Sequence, residues 1–295
     1  TVGVTHAANG FQGSVVLAKH PTFDRVAVKQ YRTERDNVLD SAVRQEYDTE
    51  VSIYAKLKGS AFFPTIIGVS KKSMAIVMEY FELGSASAFL KNNQQTNWET
   101  RLEIALGAIR GLEFMHLNGI LHCDIAARNV LVRYDATTQK LIGVLCDFGF
   151  SKILSEGQKF LVDKKSVLAA CSAPEAHLER RFSFESDCFM FGLLLFYLLT
   201  RQHPYGPGQQ ARAMIKANEL PVFGETFSHM KYDELTNLIR SCLSFKPEDR
   251  PQLPDVRSSL TGSSDIELDF NDNDGTSHYG ISHSYDSCAY HDSLS

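Results

Sequence analysis

The stretch that most constrains this chain is residues 122–132, His-Cys-Asp-Ile-Ala-Ala-Arg-Asn-Val-Leu-Val. Asp124 and Asn129 stand five apart on a segment that runs straight into three strand-forming residues, Val130, Leu131 and Val132. A carboxylate can accept the proton of a hydroxyl, and an amide carbonyl five residues on can hold a metal ion. Read alone, the stretch is also compatible with an ordinary polar turn between a helix and a hairpin. Eighteen residues after Asn129 comes Asp147, within Cys146-Asp147-Phe148-Gly149. Two such motifs in this order argue against the plain turn.

Residues 122–129 resemble the catalytic loop of protein kinases, H-R-D-x-x-x-x-N, and Asp147-Phe148-Gly149 resembles the D-F-G motif that follows it. The Ala126-Ala127-Arg128 filling, with Arg128 four after Asp124, is similar to the tyrosine-kinase variant of that loop. Further matches run in family order. Ala8-Asn9-Gly10-Phe11-Gln12-Gly13-Ser14-Val15 fits G-x-G-x-x-G-x-V with Ala8 in place of the first glycine. Glycines there let the backbone close over phosphates. A dinucleotide-binding loop would open a helix, whereas Val15-Val16-Leu17 continues as strand. Lys29 ends the alternating run Val26-Ala27-Val28-Lys29, fourteen residues after Val15, so its ammonium is expected in the cleft beneath the glycine loop. Asp40 or Ser41 is expected to cap a helix on which Val43, Tyr47, Glu50, Tyr54 and Leu57 recur at helical spacing. That helix resembles the one that presents a glutamate to the strand lysine. Glu50 is the first choice for the pair and Glu46, one turn earlier, the rival.

Two strands are expected at 63–69 and 74–79. Glu79-Tyr80-Phe81, followed by Gly84-Ser85, resembles the linker between kinase lobes, where backbone groups bind the adenine edge with Met78 behind. Leu102, Ala105, Ile109, Leu112 and Met115 predict one apolar face of a platform helix from Trp98. A hairpin follows, 130–133 with 141–145, whose connection at 134–139 is longer than the family usually has and should bulge at the surface. Cys146 is expected to be buried. Ala173-Pro174-Glu175 resembles A-P-E, and Ser186-Asp187 with Phe191-Gly192 resembles the start of the family's central buried helix, expected to hold the apolar run 189–199. Arg250-Pro251 resembles the late R-P motif. The resemblance implies an ion pair between Glu175 and Arg250, and hydrogen bonds from the catalytic-loop backbone to Asp187.

The resemblance covers about residues 8–260 and rests on seven ordered motifs. It implies an α+β, two-lobed protein-kinase fold: a small β-rich N-lobe at 1–81, a larger, mainly helical C-lobe at 82–261, and a tail at 262–295. It implies transfer of the γ-phosphoryl group of ATP to protein hydroxyls, tyrosine ahead of serine or threonine. Asp124 would act as base, Arg128 would neutralise charge near the γ-phosphate, and Lys29 with Glu50 would position the phosphates. Asn129 and Asp147 would hold Mg²⁺. Gly10, Gly13, Val15 and Ala27 would cover ATP along with Lys29. Glu79, Phe81 and Leu131 would complete its pocket. The competing reading is a pseudokinase, a binding scaffold of the same fold.

Three departures stand out. Cys123 occupies the place of an arginine that in the family binds a phosphate on the activation loop. The corresponding loop here, 150–172, has no Tyr or Thr; its hydroxyls are Ser151, Ser155, Ser166 and Ser172. Together they imply a loop ordered without phosphorylation, or else a weakened enzyme. Before A-P-E, Ala170 and Cys171 replace the basic residue and Trp usual in tyrosine kinases, and the Thr typical of serine/threonine kinases is absent too.

Composition narrows the context. From 262 onward there are seven acids and no Lys or Arg, which leaves the body slightly basic and without a nucleic-acid footprint. That Ser- and Asp-rich tail reads as disordered, and its Tyr279, Tyr285 and Tyr290 are candidate phosphorylation sites for phosphotyrosine-binding modules. Residues 269–275 lack the spacing of a calcium loop. Six scattered cysteines with no C-x-x-C pair point to a reducing compartment, so the expected location is cytoplasmic, or the cytoplasmic part of a larger, membrane-anchored protein. No stretch is long enough to contact a membrane by spanning it. A first residue of Thr1 suggests a fragment with modules missing upstream.

Overall fold

The computed structural model describes residues 4–9, 13–31, 41–165, 168–205, 208–221 and 230–262. The chain divides into two compact units, one containing Thr1–Phe81 and the other Glu82–Ser264. The first is β-rich and the second mainly helical, as the α+β, two-lobed expectation has it.

The first unit is built on five antiparallel strands. β1 (Val4–Asn9), β2 (Gly13–His20) and β3 (Asp24–Tyr31) form a meander, and the helix α1 (Ser41–Lys56) precedes β4 (Ile66–Ser70) and β5 (Ala75–Glu79). The sheet order is β1-β2-β3-β5-β4, so β3 is central and pairs Lys29 with Val15 on one side and Ile76 on the other. Strand parity puts Ala27, Lys29 and Tyr31 on one face. On α1 the residues Tyr47, Glu50, Ile53 and Tyr54 are buried, followed by Leu57 just past its end. The expected strand at 63–69 starts later, at Ile66. Phe63 and Pro64 are buried ahead of it, and a proline cannot donate to a ladder.

The second unit opens with α2 (Ala86–Asn92), capped by the Ser85 hydroxyl, and α3 (Trp98–Leu117), capped by Asn97 accepting from Thr100 N at 3.0 Å. Leu102, Ala105, Ile109, Leu112 and Met115 are all buried along α3. Next come β6 (Ile120–Leu121), a 3₁₀ turn at Ala127–Asn129, and the hairpin β7 (Val130–Asp135) and β8 (Lys140–Leu145). This hairpin differs from expectation: the strands run further and only four residues, 136–139, make the turn. Asp135 closes it by accepting from Thr137 N at 2.9 Å and Thr138 Oγ1 at 2.8 Å. The hairpin lies so close to α3 that a Cβ on Gly107 would collide with the Gly143 backbone, and one on Gly143 with the Ile104 carbonyl.

Short ladders then tie down the following segment. β9 (Lys152–Ile153) pairs with β6, and β10 (Phe160–Val162) pairs with β11 (Arg181–Ser183), which follows α4 (Pro174–Glu179). α5 (Phe184–Thr200) contains the expected apolar run and starts five residues before it, with a Ser183–Ser186 capping box. It is buried on nearly all sides, as a helix apolar all round must be. α6 (Gly208–Lys216), α7 (Met230–Cys242) and α8 (Leu253–Thr261) complete the unit. The tail at 263–295, with its three tyrosines, lies outside the described residues.

Candidate active site

In the first unit, the central strand and α1 bring one cation to one carboxylate. Lys29 Nζ donates to Glu50 Oε2 at 2.6 Å, and Glu50 is fully buried. Removing two charges from water is tolerable only when they satisfy each other. Here β3 carries the lysine two residues before its end, and α1 carries the glutamate that receives it.

The second unit assembles the other polar residues on a loop whose backbone is held by one buried carboxylate. Asp187, near the start of α5, accepts from His122 N at 2.8 Å through Oδ2 and from Cys123 N at 2.9 Å through Oδ1. Its Oδ2 also lies 2.9 Å from His116 Nε2, at the end of α3. Cys123 has a left-handed backbone, φ 64°, a conformation that costs a side-chain-bearing residue energy and persists only when held. Asp187 supplies that hold, which positions Asp124 next in the chain.

Asp124 is gripped from two sides. Asn129 Nδ2 donates to its Oδ2 at 2.7 Å and to its backbone carbonyl at 2.8 Å. Arg128 donates to Oδ1 at 2.5 Å from a side chain that is 60% exposed. Burial pushes the Asp124 carboxyl above the usual carboxylate range, Arg128 and His122 pull it back, and Asp147 adds a further upward push. The carboxyl therefore stands near a second carboxylate and a cation.

Asn129 and Asp147 are brought together by the hairpin between them. Val130 pairs with Leu145 at its open end, and Cys146 N donates to Asn129 O at 3.0 Å. Asp147 thus follows directly the residue that is hydrogen-bonded to Asn129. Asp147 has φ 66°, and Phe148 beside it is fully buried with its ring 5.7 Å from the His122 ring, edge-on. The donor set suits Mg²⁺: a carboxylate, and an amide whose NH₂ is already spent on Asp124 so that its oxygen remains the acceptor. Among the described residues no three or more His, Cys, Asp or Glu cluster as a metal cage. Mg²⁺ bound through one or two protein ligands and phosphates needs no such cage.

The other predicted residues fall as follows. Gly10 lies outside the described residues; Gly13 begins β2. Val15 is exposed and Ala27 half-buried opposite Met78. The Glu79 side chain accepts from Thr65 N at 3.0 Å, and Phe81 is buried. Leu131, half-buried, bridges to Ser85, while Val132 N donates to Gly84 O at 2.9 Å. Cys146 corrects an expectation: it is half-buried, not buried, because it lies just past β8 where the hairpin opens. The Glu175–Arg250 pair is present and bidentate, 2.8 Å on both oxygens, with Ser186 Oγ also donating to Glu175 at 2.8 Å. Sequence reasoning passed over Tyr31 and His116. Tyr31 could have been found by parity, since it follows Lys29 by two on the same strand face; His116 carried no local signal.

Cys123 itself points into an apolar cluster with Leu121, Leu154, Ala176 and Phe182, flanked by Phe150, Leu161, Leu168 and Phe184. Burial, reinforced by Asp187, pushes its thiol well above the ordinary range, so it is neutral. Cys171 is half-buried, and burial raises its thiol too, against a lowering influence from Arg128.

The profile of the protein tyrosine and serine/threonine kinase family matches residues 3–260. This chain belongs to that family. Its relatives include both residue classes. It is 28% identical over 244 residues to a putative serine/threonine-protein kinase/receptor, R826, of Acanthamoeba polyphaga mimivirus, covering 80% of this chain and 14% of the viral protein. It is 28% identical over 244 residues to the tyrosine-protein kinase Src64B of Drosophila melanogaster, covering 81% of this chain and 42% of the fly protein. It is 27% identical over 247 residues to the serine/threonine/tyrosine-protein kinase HT1 of Arabidopsis thaliana, covering 80% and 59%. The chain thus spans only part of the length of each of these relatives. No helix among the described residues is long and apolar enough to cross a membrane.

Proposed function

We propose that this chain is an active, Mg²⁺- and ATP-dependent protein kinase domain whose preferred acceptor is tyrosine. Its proposed parts are an N-lobe at 1–81, a C-lobe at 82–261 and an acidic tail. The observation that carries activity over a scaffold role is the state of Asp124: held by Asn129 and Arg128 in a buried, anchored loop, it is oriented for proton transfer. Phosphoryl transfer asks for positioning and charge neutralisation more than covalent chemistry. Lys29, steadied by Glu50, binds phosphate oxygens. Asp124 accepts the proton of the incoming hydroxyl, and its raised pKa makes it a better acceptor than an ordinary aspartate. Arg128, mostly exposed beside it, neutralises charge near the transferred group. Asn129 and Asp147 are the residues to hold Mg²⁺, which when bound screens the phosphate charge.

The Ala126-Ala127-Arg128 filling supports tyrosine, as does the likeness to a tyrosine kinase among the relatives. The proposed setting is cytoplasmic, and Tyr279, Tyr285 and Tyr290 are proposed docking points for phosphotyrosine-binding modules. The deciding experiment offers Mg-ATP and a mixed peptide pool containing Tyr, Ser and Thr to the whole chain, beside Lys29→Met and Asp147→Asn. Phosphotyrosine from the wild type alone is the expected product. Transfer by either variant at the wild-type rate would overturn the residue roles. Phosphoserine as the main product would overturn the acceptor, and no transfer at all would leave the scaffold.

A further inference from the structure

Tyr31 is a buried side chain that the proposed chemistry does not use. It stands two residues beyond Lys29 on the same face of β3. Its hydroxyl donates to Glu50 Oε2, the same oxygen that receives the Lys29 ammonium. Its ring face lies 5.1 Å from Lys29 Nζ, within cation–π range. The ring in turn meets Tyr47 edge-on, with centroids 5.5 Å apart and planes at 88°. Tyr47 lies three residues before Glu50 on α1, on the same side of the helix. All four side chains are buried.

A lysine carries its charge on a flexible four-carbon stem, so a single ion pair restrains it weakly. A buried carboxylate, for its part, is stable only when its acceptor sites are met by donors. Tyr31 addresses both needs. It donates to the carboxylate, lays a π-face against the ammonium, and is itself fixed by an aromatic contact from the helix that carries the carboxylate. Strand and helix are thereby joined at three points: Lys29 to Glu50, Tyr31 to Glu50, and Tyr31 to Tyr47.

We propose that Tyr31 is a positioning residue for the nucleotide site. It latches α1 to β3 and holds Lys29 and Glu50 in their paired geometry, so that the ammonium is already aimed when ATP arrives. The proposal rests on the reading of Lys29 as the phosphate anchor. The latch is built entirely from residues of the first unit.

Tyr31→Phe isolates the claim, because it keeps the ring, its edge contact and its π-face, and removes only the hydroxyl. ATP affinity is measured by calorimetry on the whole chain, and KM values by steady-state transfer to a peptide. The expected result is an ATP affinity weakened about tenfold and an ATP KM raised alike, with the peptide KM unchanged. In a Glu50→Gln background the same substitution should cost less than about twofold, since the hydroxyl acts through that carboxylate. A purely structural role would leave ATP affinity alone, or would add independently to Glu50→Gln; either result overturns the proposal. Lys29→Met separates the two levels. If it leaves ATP affinity untouched, the anchor reading fails and the positioning role with it. If it removes affinity while Tyr31→Phe binds like wild type, the positioning role alone fails.

Discussion

Two adjacent residues of α4 belong to opposite kinds of interior. Glu175 turns to a charged lock: Arg250 grips it with both terminal nitrogens at 2.8 Å and also donates to the carbonyls of Glu185, Ser244 and Phe245. Ala176 turns instead to the apolar cluster around Cys123, where Leu154, Leu161, Leu168 and Phe182 meet. The first tethers fixed scaffold, the end of α7's connection to α4 and α5. The second tethers the segment 150–172, together with the β10–β11 ladder and a Lys152–Asp163 ion pair at 2.9 Å. The difference teaches where this chain needs directional chemistry. A fully paired buried charge tolerates one geometry, whereas the contacts of the apolar plug that helps hold the second segment are non-directional and scale with area. Cys123, neutral and enclosed, fits the second regime. Ser151 and Ser172 are themselves buried, which leaves Ser155 as the exposed hydroxyl among the described residues of that segment.

The largest effect should come from the lock. Arg250→Met leaves the Glu175 carboxylate buried without its cation and should cost about 3–5 kcal/mol. Urea unfolding should show the loss as a lower midpoint. A cost below about 1 kcal/mol would mean the pair behaves like a surface salt bridge and would erase the contrast.

The plug should fail more locally. Leu154→Ala removes a buried side chain from the cluster at a cost of about 2–5 kcal/mol. The loss should appear as faster amide exchange and proteolysis in 150–172 before the rest of the unit. Uniform loss of protection across α3 and α5 would show that the plug is part of the scaffold after all.

A third effect lies at Asp124, a buried carboxylate countered by an exposed guanidinium. A base must be ionised to act. Burial raises this carboxyl, so the acid limb of the pH–rate profile should lie above that of an ordinary aspartate. Arg128 lowers it, so Arg128→Ala should move the limb to still higher pH and slow transfer about tenfold at neutral pH. A limb that moved down, or stayed put, would remove Asp124 from the role of base.

The smallest effect is the most pointed. Complete dephosphorylation, checked by mass spectrometry, should change the initial rate less than about twofold. A tenfold fall, about 1.4 kcal/mol of transition-state stabilisation, traced to a serine in 150–172, would show that a phosphate supplements the plug.

Much of this molecule was legible before any coordinates. Motif order identified the family, and helical spacing of apolar residues located α3, because that spacing reports directly which face is buried; α5 showed as an apolar run. The partners Lys29–Glu50, Asp187 with the loop amides, and Glu175–Arg250 followed from the resemblance, since each is a pair of residue types the family places together. Sequence also showed that position 123 carries no charge. What surrounds Cys123 was a tertiary matter: its neighbours come from 121 on β6, 154 just past β9, 176 on α4 and 182 on β11, and no local pattern links them. The same holds for Tyr31, whose hydroxyl meets a carboxylate nineteen residues away on another element. Cys146 and the length of the hairpin strands likewise became visible only in the folded chain, where β8 ends at Leu145 and Asp135 closes the turn. Sequence displays residue type and local period; which distant side chains share one low-dielectric space is settled only when the elements pack.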